Sequence, residues 1–274
     1  MNKQSKLWLC TLAACILLSG CSGKETETTA AEETTAATTT ATTAESTSET
    51  ESSEIKVSSK NLSEKTFLED GSDIIVAAAE IRFPTFEGDS EALMNINSYY
   101  DNLLEKNTVY FRGEFTEMAR ENYKFTQDNG TIFNQFSIRS DFWVACSDDN
   151  YVSVVRDYDE ASGGAVSHTT LACDNFDAKT GGKLTLSDLF SVNEELYLKK
   201  LLPIIKEQAK EKTDLYTNYE SLLETTLNKD NFYIVDEDGE KTLFIVYQPY
   251  DIAPGNIGVI DFAIPFSDLK EILK

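Results

Sequence analysis

From Ser22 to Ser53 the chain is built almost entirely from Thr, Glu, Ala and Ser, with no aromatic residue and no hydrophobic period. Such a segment cannot bury enough apolar surface to offset the entropy of ordering its backbone. Any fold must therefore come from about Ile55 onward, and residues 21–54 read as a disordered stalk. Its glutamates repel one another and extend it.

The 20 residues ahead of the stalk have a different character. Lys3 and Lys6 form a short basic region, and Leu7–Leu18 is an apolar run. That run falls short of the roughly 20 residues needed to span a bilayer and has the length of a signal-peptide core. It ends in Leu18-Ser19-Gly20-Cys21, which resembles the bacterial lipoprotein box. The expectation is a signal peptide over residues 1–20, cleavage before Cys21, and lipidation of its thiol. Acyl chains contribute roughly 0.8 kcal/mol per buried methylene, so two or three of them hold a domain durably at a membrane. The expected location is the outer face of the cytoplasmic membrane, or the outer membrane in a double-membraned cell.

Cleavage removes two lysines and no acids, leaving 22 basic against 47 acidic residues and a net charge of −25. That charge argues against a nucleic-acid partner. It favours a cationic one, drawn in by a long-range field that salt weakens, although solubility alone also accounts for it. Of five cysteines, Cys146 and Cys173 remain once the leader is gone and Cys21 is acylated. On an exported protein two cysteines suggest a disulfide. Hairpin pairing that puts both beside Tyr151 on its two neighbouring strands separates them by roughly 9 to 10 Å, beyond the ~7 Å limit for bridging. Two free thiols are expected.

Asp73–Phe83 alternates apolar residues and should be a strand closed by Pro84. A helix capped at Asp89 or Ser90 follows through Met118, with Gly113 as its weak point. Asn134–Cys146, Tyr151–Asp159 and Val166–Asp174 read as an antiparallel meander. Ser187 is expected to cap a helical turn at Asp188-Leu189-Phe190. Asn193–Leu227 is helical in pattern, with Pro203 forcing a kink or a new first turn. Phe232–Val235 and Thr242–Tyr247 form a hairpin, Val259–Ile264 a last strand, and Ser267 caps a final helix. This is the α+β class: an antiparallel sheet with helices packed on one face. We divide it into an N-terminal strand-helix subdomain, residues 55–132, and a C-terminal α+β domain, residues 133–274.

Catalytic chemistry has little to work with. His168 is the single histidine, so a serine or cysteine nucleophile lacks an obvious base. One histidine and two cysteines are too few for a zinc site, and no metal or cofactor is expected. Carboxylates gather at Asp148-Asp149, at Asp157 with Asp159-Glu160, and at Asp236-Glu237-Asp238-Gly239-Glu240. The last contains an Asp-x-Asp-Gly core without a calcium-loop ligand pattern and fits a hairpin turn better. Paired acids leave open a hydrolase acting on peptidoglycan or its sugars. Two features suit recognition. Tyr250 and Asp251 stand in a stiff segment between Pro249 and Pro254, and Trp143 adjoins Phe142 on a strand, so that one of these two rings faces outward.

Several motifs occur in order: Gly163-Gly164-Ala165; Asn175-Phe176-Asp177 with Thr180-Gly181; Leu184-Thr185-Leu186-Ser187-Asp188-Leu189-Phe190; and Pro249-Tyr250-Asp251-Ile252-Ala253-Pro254 with Gly258. Together they resemble the RsiV-like family, a domain of unknown function forming the outer part of an anti-sigma factor and preceding the catalytic domain of a peptidoglycan deacetylase. The resemblance runs from about Ile75 to Leu273. It implies an extracytoplasmic, membrane-tethered α+β module with one branch that recognises lysozyme, a strongly basic protein. In that family a histidine tends to follow the Gly-Gly-Ala hairpin directly, where this chain has Val166. A stand-alone lipoprotein is expected, without catalysis, binding a cationic protein or a cell-wall ligand through Trp143, Tyr250 and Asp251. A structural envelope protein is the remaining alternative.

Overall fold

The computed structural model describes residues 55–164 and 168–274. The leader, Cys21 and the stalk lie outside the described residues, as do residues 165–167 and the side chain of His168. The described chain is α+β, with two sheets and helices against each.

The larger sheet holds β1 (Val57–Phe67), β2 (Ile75–Phe86), β3 (Phe136–Ser140), β4 (Phe142–Ser147), β5 (Tyr151–Ala161) and β6 (His168–Asp177). β5 is its centre: β6 runs along one edge, while β3 and β4 lie end to end along the other. β3 also pairs with β2, and this is the sheet's parallel contact. The residues 55–132 and 133–274 thus share one sheet.

Against one face lie α1 (Glu91–Tyr110) and α2 (Thr116–Asn129). Ser90 caps α1, its Oγ accepting from Leu93 N at 3.2 Å. Leu93, Ile96 and Tyr100 face inward at helical spacing. At Gly113 the expected weak point is a π-helical turn, Phe111–Phe115. The extra residue per turn sets both Phe111 and Phe115 into the core, and Thr116 Oγ donates to Phe111 O at 2.7 Å. The core here joins Ile81, Phe83, Ile96, Tyr100, Phe111 and Phe136.

The smaller sheet is β7 (Phe232–Glu237), β8 (Glu240–Tyr247) and β9 (Ile260–Pro265), covered by α3 (Glu194–Ala209), α4 (Tyr219–Thr225) and α5 (Phe266–Leu269). Asp238 and Gly239 link β7 to β8 with φ of 54° and 84°, the left-handed pair that a tight two-residue hairpin demands.

The two sheets are joined by buried polar bonds. Ser153 Oγ donates to Asn175 Oδ1 at 2.7 Å and accepts from Ile234 N at 3.0 Å, while Asn175 Nδ2 donates to Phe232 O at 2.6 Å. Ser153 and Asn175 thus pair with each other within the larger sheet and meet Ile234 N–H and Phe232 C=O of the smaller one.

Several expectations change. β1 had no counterpart in the sequence reading. Pro84 does not close β2, which runs on to Phe86, because the ring's missing N–H falls on the side of β2 away from β1. Asp141 breaks the Asn134–Cys146 strand in two. Pro203 lies inside α3 without ending it; it sits on the exposed face, where the carbonyl it leaves unbonded meets water. Thr185, not Ser187, caps the 3₁₀ turn at Leu186–Leu189, and Ser267 falls inside α5. Among the described residues no helix is long and apolar enough to cross a membrane.

Candidate functional site

The segment after β8 carries the most distinctive geometry. Tyr247, at its root, is buried and its hydroxyl donates to Leu223 O at 2.5 Å, tying the loop to α4. Gln248 follows: its Nε2 donates to Leu171 O at 2.7 Å and its Oε1 accepts from Leu171 N at 3.1 Å. This amide meets the outer edge of β6 as a strand residue would. Asp251 then folds the turn on itself, accepting from Gln248 N at 2.7 Å while its own N–H donates to Gln248 O at 3.0 Å. Burial raises the Asp251 carboxyl above its ordinary value, partly opposed by that Gln248 N–H. Ile252 and Ala253 are buried and plug the far side.

Between these anchors Tyr250 adopts φ +74°, a conformation that bulky side chains avoid. It is 56% exposed. A Cβ added at Gly255 would lie 2.1 Å from its Cζ, so the ring rests directly on that glycine's backbone. The arrangement holds a phenol at the surface on a braced backbone that stores strain.

Trp143 is also exposed, at 45%, whereas Phe142 packs partly against the core between the larger sheet and its helices, so the two rings face opposite sides. Trp143 stands on β4 and the loop docks on β6, with β5 between them. The structure brings Tyr250 and Asp251 together and leaves Trp143 two strands away.

Two polar clusters escaped the sequence reading. Asp174, 1% exposed, accepts from Arg156 Nε at 2.7 Å, Lys183 Nζ at 2.9 Å and Tyr99 OH at 2.7 Å, between the larger sheet and α1. Burial pushes its carboxyl up, but the charges of Arg156 and Lys183 outweigh that and hold it below the ordinary range. Arg156 and Asp174 meet through the pairing of β5 with β6, Tyr99 comes from α1, and Lys183 returns from the turn after β6.

The second cluster links the sheets: Cys146, Asp148 and Asp236 have ligand atoms within 4.8 Å of one another, the only such group among the described residues. Lys241 Nζ contacts Asp148 at 2.6 Å and Asp236 at 3.2 Å and supplies the counter-charge there. Burial, with the charges of Asp148 and Asp236 adding to it, pushes the Cys146 thiol up to about 12. Cys146 and Cys173 are both free and buried. Their register differs from the expected one, with Cys146 opposite Ser153 and Cys173 opposite Val155; β5 still separates them.

Residues 187–267, which span the smaller-sheet half and the Tyr250 loop, match the family described as protein of unknown function DUF3298. The chain is 26% identical over 215 residues to anti-sigma-V factor RsiV of Bacillus subtilis, covering 76% of this chain and 70% of that protein. It is 26% identical over 217 residues to the peptidoglycan-N-acetylmuramic acid deacetylase PdaC of Bacillus subtilis, covering 78% of this chain but 42% of that one. Crystal structures of DUF3298 family proteins share the fold. One from Bacteroides fragilis covers 80% of this chain and 94% of its own at TM-score 0.62 and 19% identity. One from Pseudomonas aeruginosa covers 80% and 95% at TM-score 0.52 and 18% identity. The chain thus resembles RsiV over most of its length and, over residues 187–267, matches the family of unknown function DUF3298.

Proposed function

We propose that this protein is a non-catalytic extracytoplasmic binding or sensing module, held to the membrane by lipid on Cys21 and presenting the Tyr250–Asp251 loop to a cationic protein. The observation that carries this reading is the loop itself: an exposed tyrosine kept at φ +74° by Gly255, Gln248 and a self-bonded Asp251. Strain of this kind persists where the surroundings over-determine it, and such places cluster at ligand clamps. A charge of −25 on the chain from Cys21 gives a basic partner a steering field. Similarity to RsiV supports a sensing role, and the shared stretch with PdaC leaves most of that enzyme's length unmatched.

The test uses the soluble chain beginning at Ser22 and lysozyme as a cationic probe. Binding is expected at low salt, weakening by at least about tenfold toward physiological ionic strength as charges are screened, and weakening again in Tyr250→Ala. No complex at low salt would sink the cationic-protein reading. Turnover of purified wall fragments, abolished by one Asp or Glu substitution, would replace it with an enzyme.

A further inference from the structure

The larger sheet splits. β2 pairs with β3 only over Ala77–Ile81, and after the break at Asp141 the chain resumes as β4, which pairs with β5 alone. Beyond the Arg82–Asp141 ion pair at 3.1 Å, the second half of β2 and β4 diverge. The space left is a groove of about 1090 Å³, lined among others by Val57, Ser59, Arg82, Phe142, Val144 and Ser147.

Its two walls differ in what they offer. Glu87 N donates to Lys56 O at 2.9 Å, which fixes the alternation of the β1–β2 ladder and turns the main chain of Pro84 and Phe86 toward the groove. Pro84 has no N–H. The N–H and C=O of Phe86 are both taken by the Asn97 side-chain amide, each at 2.9 Å. Between Pro84 and Phe86 that wall therefore offers an incoming strand no free N–H.

On the other wall, Asp157 N donates to Asp141 O at 3.1 Å and Asp148 N to Tyr151 O at 2.9 Å. With the bulge between Val144 and Cys146, this alternation directs the N–H and C=O of Val144 and Ser147 away from β5 and into the groove. Phe142 and Val144 line it with side chains partly buried against the helix-side core.

We infer that this groove takes an extended polypeptide segment of a partner protein, which adds to β4 as a strand along Phe142–Ser147 and carries apolar residues at alternate positions facing Phe142 and Val144. The charges lining it, Lys56 and Arg82 against Glu87 and Asp236, cancel, which argues for a segment without net charge. In this it differs from the acid-rich exterior and from the cationic partner proposed for the Tyr250 loop, so the two sites can be tested separately.

The experiment selects displayed random nonapeptides on the soluble chain from Ser22 to Lys274. Recovered peptides should alternate apolar and polar residues. N-methylation at alternate positions should weaken each by about threefold to tenfold per lost bond, while methylation between them is tolerated. Val144→Pro removes a groove-facing N–H and leaves the β5 ladder intact, so it should weaken binding comparably; should that variant misfold, the methylation pattern alone decides. Failure to recover such peptides, or methylation effects without a two-residue period, would overturn the inference. So would hydrogen-exchange protection of Val144 in the peptide-free chain that disappears when residues 22–52 are deleted, which would assign the groove to the chain's own segment. Protection that rises with protein concentration together with dimer formation would assign it to a second copy and likewise overturn it.

Discussion

Asp174 and Arg156 form an ion pair between the larger sheet and α1, carboxylate Oδ2 to guanidinium Nε at 2.7 Å, with 2% and 9% of their side chains accessible. Neither could be buried alone, since an unpaired interior charge is far costlier than a paired one. Asp174→Asn should therefore destabilise the protein by about 3–5 kcal/mol, read as a fall in the urea midpoint. The native carboxyl titrates below its ordinary 3.8. Its contribution is thus present above that value and is lost as pH falls through the lower folded one. The variant should flatten this acid limb; an unchanged limb would show that Asp174 does not drive acid unfolding.

The Ser153–Asn175 stitch makes a different prediction. Ser153→Ala leaves Ile234 N–H without its acceptor, and Asn175→Ala leaves Phe232 C=O without its donor, each inside the protein. Each should cost about 1–3 kcal/mol. Because the two side chains also bond each other, the double variant should cost measurably less than the two singles together. Strict additivity in denaturant titrations would contradict the network.

For Tyr250 the expected signs of stability and binding separate. Glycine at this position is free of the roughly 1–2 kcal/mol that a left-handed backbone costs an L-residue. Tyr250→Gly should thus leave unfolding free energy unchanged or slightly raised, despite losing the ring's contact with Gly255, while affinity for the cationic probe falls. A loss of stability above about 2 kcal/mol would identify the ring as structural.

Thiol chemistry offers a simple check on the core. Burial pushes Cys146 and Cys173 up to about 12, with nearby carboxylates adding to it. Alkylation near pH 8 should leave the native soluble chain unmodified, and unfolding without reductant should add two groups by mass. No uptake after unfolding would mean a disulfide, against the two free thiols found here.

The elements that sequence periodicity revealed are those with one buried face. β2 and α1 carry inward residues at regular spacing, and the π turn falls at the glycine that interrupts the helical pattern, whereas β5, buried continuously from Val152 to Arg156, is marked by the turn signals on either side of it. β1 was illegible because it is a solvated edge in which Leu62 alone is fully buried, so no alternation marks it. The break at Asp141 was hidden because Phe142 and Val144 continue the apolar run across it. Tyr250 and Asp251 could be singled out from the flanking prolines. Their braces could not: Gln248 reaches Leu171 across 77 positions, and Gly255 shows its purpose only once the tyrosine ring lies on it. Lys241, Asp148 and Asp236 likewise meet through the packing of two sheets.

Gln248 also has a bearing on solubility. Its amide gives β6 one donor and one acceptor at Leu171, the complement a neighbouring strand would bring, and so stands as a single counterfeit residue on that edge. Open edges are where crowded β proteins zip together into aggregates. Copies of this module brought to high local density meet an edge already occupied at that point, which disfavours strand-to-strand growth through Leu171.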